Sequence, residues 1–317
     1  MLFRSSTSSI WTYNESYWVK EVAIIPITVI LLIVINNIVV LTTMRKVTPL
    51  KIKHSLSMCL AVADLLVTIP YSVISSNILK GYVWLTPDLC DVIGVVNVVC
   101  LGAVTWIHSF MCIERAVCVL CSLTHRQLEK NKKAKHIVCL SVTACYLLLI
   151  TLCLCLLFSK AMTFSFIPSI PSCSVNMLPK LMVVYGCLYN ALPMSIQLVT
   201  SIMIVRFMKQ RVNRDRRPSL KKAMKTITLI LGVFYICSLP TVVYIIWDLT
   251  ATESSAPEWL NFAAGCGLFL NSGTSSVIYL RSMPSFKEAL MARRKKLTVV
   301  VQIVPLENVD AVANARF

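Results

Sequence analysis

VAIIPITVILLIVINNIVVLTTMRK, residues 22–46, decides the fold. Twenty-three residues pass without a charge before Arg45 and Lys46 close the stretch. At about 1.5 Å per residue, a helix of this length crosses a hydrocarbon core of about 30 Å. Working outward, apolar stretches of similar or greater length recur near 55–79, 91–121, 136–158, 179–208, 222–247 and 258–280. The chain is 57% apolar, with a mean hydropathy of +0.74. The expected architecture is an all-α membrane protein, a seven-transmembrane helix bundle. Pro284 to Leu297 places Phe286, Ala289, Leu290 and Leu297 against Arg and Lys, as a short amphipathic eighth helix on the membrane surface would.

Charge supplies the orientation. Twenty-six of the thirty-one Lys and Arg residues fall in 45–54, 115–135, 206–225 and the tail from Arg281. The opposite side holds Arg4, Lys20, Lys80, Lys160 and Lys180. Cytoplasmic loops retain Lys and Arg, so the N-terminus is expected outside and the C-terminus inside, at the plasma membrane. The organisation follows as an extracellular tail (1–21), a seven-span domain (22–280) and a cytoplasmic helix and tail (281–317). Met1 to Trp11 lacks the apolar core of a cleavable signal peptide. Asn14-Glu15-Ser16 is a glycosylation acceptor on the outer tail. A net charge of +17 suggests nucleic acid in a soluble chain. Here the spans account for where the cations sit, and the expected basic-face partners are anionic lipid and a docking protein.

Of the fourteen cysteines, the topology leaves only Cys90 and Cys173 at the oxidising outer face. A disulfide there would tie the third span to the second outer loop. Asp64 is the one ionisable carboxylate deep within a span, where such a group needs partners. Two roles fit it equally: a polar tie to Asn37 and to Asn271 or Ser272, or an ion or proton site that differs between two helix arrangements.

Several motifs, in order and at matching intervals, resemble the rhodopsin-like (class A) G-protein-coupled receptors. Asn37 with Val40 resembles the first-span Asn-x-x-Val, and Leu60-Ala61-Val62-Ala63-Asp64 the second-span motif. Cys90 precedes Arg115 at the family's interval, and Glu114-Arg115-Ala116 resembles Asp-Arg-Tyr. Pro193 matches the fifth-span proline. Phe234-x-x-Cys237-Ser238-x-Pro240 resembles Phe-x-x-Cys-Trp-x-Pro, and Asn271-Ser272 with Ser275 to Tyr279 resembles the seventh-span Asn-Pro-x-x-Tyr region. The resemblance implies a switch built from Asp64, Asn37, Asn271, Ser272, Phe234, Pro240 and Tyr279. It implies that Arg115 pairs with Glu114 at rest and meets a Gα subunit when the sixth span moves out. It also implies that Leu123 enters a Gα pocket. Pro240 removes a backbone hydrogen bond inside its span, which makes a bend there.

Departures from the pattern are specific. Ser238 stands for tryptophan, Ser275-Ser276 for Asn-Pro, Ala116 for tyrosine, and Val104 for a third-span hydroxyl. The last of these implies a weakened sodium site around Asp64. Asn97 occupies the position of the amine-receptor aspartate, which removes the ion pair a monoamine needs. No lysine lies between Trp259 and Leu280 to carry a Schiff base. The candidate ligand contacts are Asn97, Tyr185, Tyr189, Asn190, Tyr244 and Phe269, with Trp247 and Asn261 beside them. They suit a small molecule, a lipid or a short peptide.

The function expected is transduction of such a ligand to a heterotrimeric G protein. His54, His108, His125 and His136 are scattered without metal-binding spacing, and no phosphate-binding glycine loop occurs, so neither an enzyme, a metal site nor a cofactor is expected. A non-signalling seven-helix scaffold is the alternative. A transporter would call for inverted repeats and several broken helices, which the sequence lacks.

Overall fold

The computed structural model describes residues 17–45, 52–79, 86–167, 172–215, 218–250 and 257–282. Asn14 and the amphipathic helix expected over Pro284 to Leu297 lie outside the described residues. Helices α1 (Tyr17–Met44), α2 (Ile52–Leu79) and α3 (Pro87–Leu120) are followed by a short α4 (Ser122–Lys130) and by α5 (Lys132–Phe158). A hairpin of β1 (Met162–Ile167) and β2 (Ser172–Met177) comes next. Then α6 (Pro179–Gly186) continues through a π-helical turn (Cys187–Ala191) into α7 (Leu192–Asp215), before α8 (Pro218–Thr250) and α9 (Glu258–Ser282). The seven spans read from the sequence lie on α1, α2, α3, α5, the α6–π–α7 rod, α8 and α9. Helices solve the membrane problem because every backbone N–H finds its acceptor within the same segment.

The ends of these helices follow local chemistry. Thr86 caps α3, its hydroxyl accepting from the Leu89 N–H at 3.2 Å, with Pro87 in the first turn. Asn131 caps α5 by accepting from the Lys133 N–H at 2.9 Å. At the other end of α5, the Lys160 N–H donates to Leu157 and the Ala161 N–H to Leu156. Lys160 itself has φ of 55°. This is a Schellman closure with lysine where glycine is usual.

The π-turn has a visible cause. Pro193 carries no N–H, so the helix cannot make its ordinary bond back to Tyr189. One residue earlier the Leu192 N–H reaches the Cys187 carbonyl, five residues back.

Two apolar clusters form most of the core. One joins α1, α2 and α3 through Ile33, Leu56, Leu60, Ala63, Val104 and Ile107. The other packs Val99, Ala103, Leu149, Phe164 and Tyr189 beneath the hairpin. Small residues allow the closest approaches, as is usual between membrane helices. A Cβ on Gly267 would collide with the Cys237 carbonyl of α8, and one on Gly102 with the Tyr189 ring. Helix α5 lies at the periphery, with Ile137, Leu140, Leu147 and Leu148 turned outward.

The hairpin is pinned across one end of the bundle. Its strands pair antiparallel from Met162–Met177 to Ile167–Ser172. Cys173 is disulfide-bonded to Cys90, and the Phe164 N–H donates to Asp91 at 3.2 Å. The expected tie between the third span and the second outer loop is therefore present.

Candidate functional site

Beneath the hairpin, α2, α3, the α6–π–α7 rod, α8 and α9 enclose an outer cavity of about 190 Å³. Asn97, Tyr185, Tyr189, Asn190 and Tyr244 all line it. Phe269 and Asn261 lie on α9, with their side chains outside the described residues, and Trp247 on α8 is exposed. Tyr71, Thr105 and Thr241, not singled out by the sequence, also line the cavity, and Cys173 and Val175 cover it from the hairpin. Tyr71 follows the helix-internal Pro70, a conspicuous polar aromatic that could have been found.

The polar groups of this cavity differ in how far they are committed. Asn97 donates to the Tyr71 hydroxyl at 3.1 Å, while its own Oδ1 is buried without a hydrogen-bond partner. Tyr189 presents a ring to the cavity but spends its hydroxyl elsewhere, donating to the Leu149 carbonyl at 3.2 Å. Tyr185 stacks on that ring with centroids 4.3 Å apart. None of the lining residues carries a charge.

Below it lies a smaller cavity of about 20 Å³, room for about one water. Leu101, Thr105, Asn190 and Thr241 belong to the walls of both spaces. The inner one reaches Phe234, Ser238, Asn271 and Ser272. Asp64 is fully buried nearby, and neither of its oxygens has a hydrogen-bond partner among the described residues. Ser272 faces that carboxylate without closing a well-formed hydrogen bond, so its Oγ and the Asn271 Oδ1 are also unsatisfied. Asn37 donates to the Ile33 carbonyl of its own helix at 3.0 Å. Asp64, Asn271 and Ser272 thus form a set of buried oxygens without hydrogen-bond partners among the described residues. Val104, buried on α3, contributes no oxygen to it.

Polar bonds stitch α3 to α7. Gln197 donates to the Thr105 carbonyl and to the Ser109 hydroxyl, both at 3.1 Å. Ser109 in turn donates to the Pro193 carbonyl at 3.0 Å. Across the α7–α8 seam, Tyr235 donates to the Met194 carbonyl at 3.1 Å. Phe234 sits one residue away, its ring 5.5 Å from the His108 imidazole.

At the C-terminal end of α3, the Glu114 carboxylate meets the His125 ring of α4 at 2.9 Å. His125 is thus a partner of Glu114 in addition to the Arg115 pairing that the motif resemblance implies. Only the fold brings together two residues eleven apart at a helix corner, and nothing local in the sequence marks the pair. Arg115 follows, half-buried, and Ala116 packs on Ile204 and Met208. Leu123 opens α4 and Tyr279 lies near the end of α9, with both side chains outside the described residues.

A family model described as "7 transmembrane receptor (rhodopsin family)" matches residues 27–279, from α1 to α9. The chain belongs to this receptor family. No curated protein shows significant similarity to it. A receptor role and a multi-pass membrane location follow from the family.

Proposed function

We propose that the receptor transmits binding of an uncharged extracellular ligand, in the cavity around Asn97 and Asn190, to a heterotrimeric G protein at Arg115. The N-terminus faces outward and the basic side faces the cytoplasm of a plasma-membrane receptor, with Asn14 available for glycosylation. The observation that carries the proposal is the shared wall of the two cavities. Thr105, Asn190 and Thr241 border both the ligand space and the pocket that touches Phe234, Asn271 and Ser272. A ligand pressing on Asn190 or Thr241 therefore acts on the helices that carry the switch residues.

Pro240 leaves α8 one backbone bond short, so its cytoplasmic half is the natural lever. Outward motion of that half would open the space beside Arg115, whose planar guanidinium suits a buried protein contact. Leu123 would add an apolar contact from α4. Asp64, Asn271 and Ser272 are the residues that would hold a sodium ion, which would neutralise the buried carboxylate and favour the resting arrangement.

The test is nucleotide exchange on a panel of purified Gα subunits with the receptor in nanodiscs. Exchange above the empty-disc rate for at least one Gα, lost in Arg115→Ala, is the expected result. A flat response across the panel, with folded protein, would favour the scaffold alternative that Ser238 and Ala116 keep in view.

A further inference from the structure

A third space lies between α7 and α8, a crevice of about 410 Å³. Its walls are apolar, formed among others by Met182, Met194, Tyr235, Val242 and Ile245. Val183, Leu198 and Ile246 stand at its edge and are about half exposed, on the surface that meets acyl chains in a bilayer. Met182, Asn190 and Ile245 also belong to the outer cavity, so the two spaces adjoin at Asn190. Apolar walls open to the bilayer are compatible with a hydrocarbon chain and offer a polar group nothing to replace its hydration.

The other boundary of the outer cavity is covered. Cys173 and Val175 hang over it from the hairpin, whose disulfide and Asp91 bond hold it in place. The polar end of the combined space holds amides and hydroxyls only, and no described residue lining either part is charged. A charged head group there would lose its hydration without gaining a counter-ion.

We propose that the receptor's ligand is a neutral single-chain amphiphile that arrives from the bilayer through the α7–α8 crevice. Its head, of glycerol-ester or primary-amide chemistry, bonds the Asn190 amide beside Asn97. Its hydrocarbon chain lies in the crevice against Met182, Met194 and Val242. This rests on the outer cavity being the ligand site, and it names the class of molecule that fits. The crevice combines the two features of a ligand pocket, an apolar body and few, well-placed polar groups.

The experiment uses the full chain in nanodiscs and a photoreactive diazirine analogue of 1-oleoylglycerol, with the labelled peptides mapped. No G protein is present, so the outcome is independent of coupling. Labelling is expected to concentrate on 182–198 and 235–246, and to be competed by 1-oleoylglycerol. The phosphate ester of that same lipid is expected to compete on the order of fiftyfold less well, for want of a counter-ion. Ala191→Trp and Ser195→Trp fill the exposed mouth and should each lower labelling by about tenfold or more. Leu147→Trp, on the outward face of α5, should leave it unchanged. Thermal unfolding of each variant verifies that the fold is retained. Labelling spread over α1 and α5 in proportion to their lipid exposure would overturn the proposal. So would equal competition by the phosphate ester, or indifference to both tryptophans in folded protein.

Discussion

On one side of the bundle, Ile33, Leu56, Leu60, Ala63, Val104 and Ile107 bury one another almost completely, and the Gly267 backbone rests on Cys237 with no room for a methyl group. On the other side, α7 and α8 leave a crevice of about 410 Å³, bridged near its floor by the Tyr235–Met194 bond. Both regions are built from apolar residues of a single chain, so composition does not separate them. What separates them is side-chain size at the contact. Small residues let α8 and α9 touch backbone to backbone, while Tyr235, Met194 and Ile245 hold α7 and α8 apart. A closely packed frame stands beside a loosely packed seam, so α7 and α8 can separate with fewer contacts broken than α8 and α9.

The contrast can be broken most severely at the hairpin, which the disulfide attaches to the rigid side. Replacing both Cys90 and Cys173 by alanine should lower stability by about 4 kcal/mol, given the 83-residue separation that the bond closes. Thermal unfolding in detergent would measure it, and a loss below about 1 kcal/mol would remove the hairpin from the frame. Next in size is a matched pair of glycine substitutions. Gly267→Ala forces a methyl group into a backbone carbonyl and should cost about 1–3 kcal/mol. Gly186→Ala lines the crevice, where nothing lies within 4 Å of the new Cβ, and should gain up to about 1 kcal/mol of helix propensity. Equal effects at the two sites would erase the distinction between frame and seam.

A smaller gain is expected at the end of α5. Lys160 holds a left-handed backbone that glycine adopts without strain, so Lys160→Gly should stabilise by about 0.5–1 kcal/mol in the same assay. The smallest effect concerns Asp64. With Val104 offering no oxygen, sodium should change ligand affinity by less than about threefold, under about 0.7 kcal/mol, and Asp64→Asn should remove that remainder. A strong sodium dependence in the wild type that vanishes in Asp64→Asn would show a full-strength site instead.

The spans were legible because the bilayer allows so few backbone solutions that a long uncharged run has one meaning. The disulfide was legible because sidedness left a single outer pair. The hairpin was not read, although Met162, Thr163, Phe164 and Ser165 alternate inward and outward as a strand should. Six residues are too few for that alternation to stand out beside seven long helices. Within the site, Asn97, Tyr185, Tyr189, Asn190 and Tyr244 could be placed by depth along their spans. The outward commitment of the Tyr189 hydroxyl and the meeting of Glu114 with His125 depend on which helix lies alongside, and periodicity within one segment carries no information about that. The crevice was illegible for the same reason, since a gap is a property of two helices and not of either.

The π-turn at Cys187–Ala191 has a consequence for the phase of its span. Residues 189, 193, 197 and 201 are all buried, four apart each time, whereas a straight α-helix advances about 40° beyond a full turn over every four residues. The wider turn absorbs part of that drift and keeps the Tyr189 ring and the Gln197 amide on the same side of the rod. Deleting one residue from 187–191 would restore an ordinary α-helix and rotate everything outside it by about 100° relative to Gln197. Tyr185 would then turn out of the cavity while α7 kept its place, so the length of this five-residue turn sets how the two ends of the span are aligned.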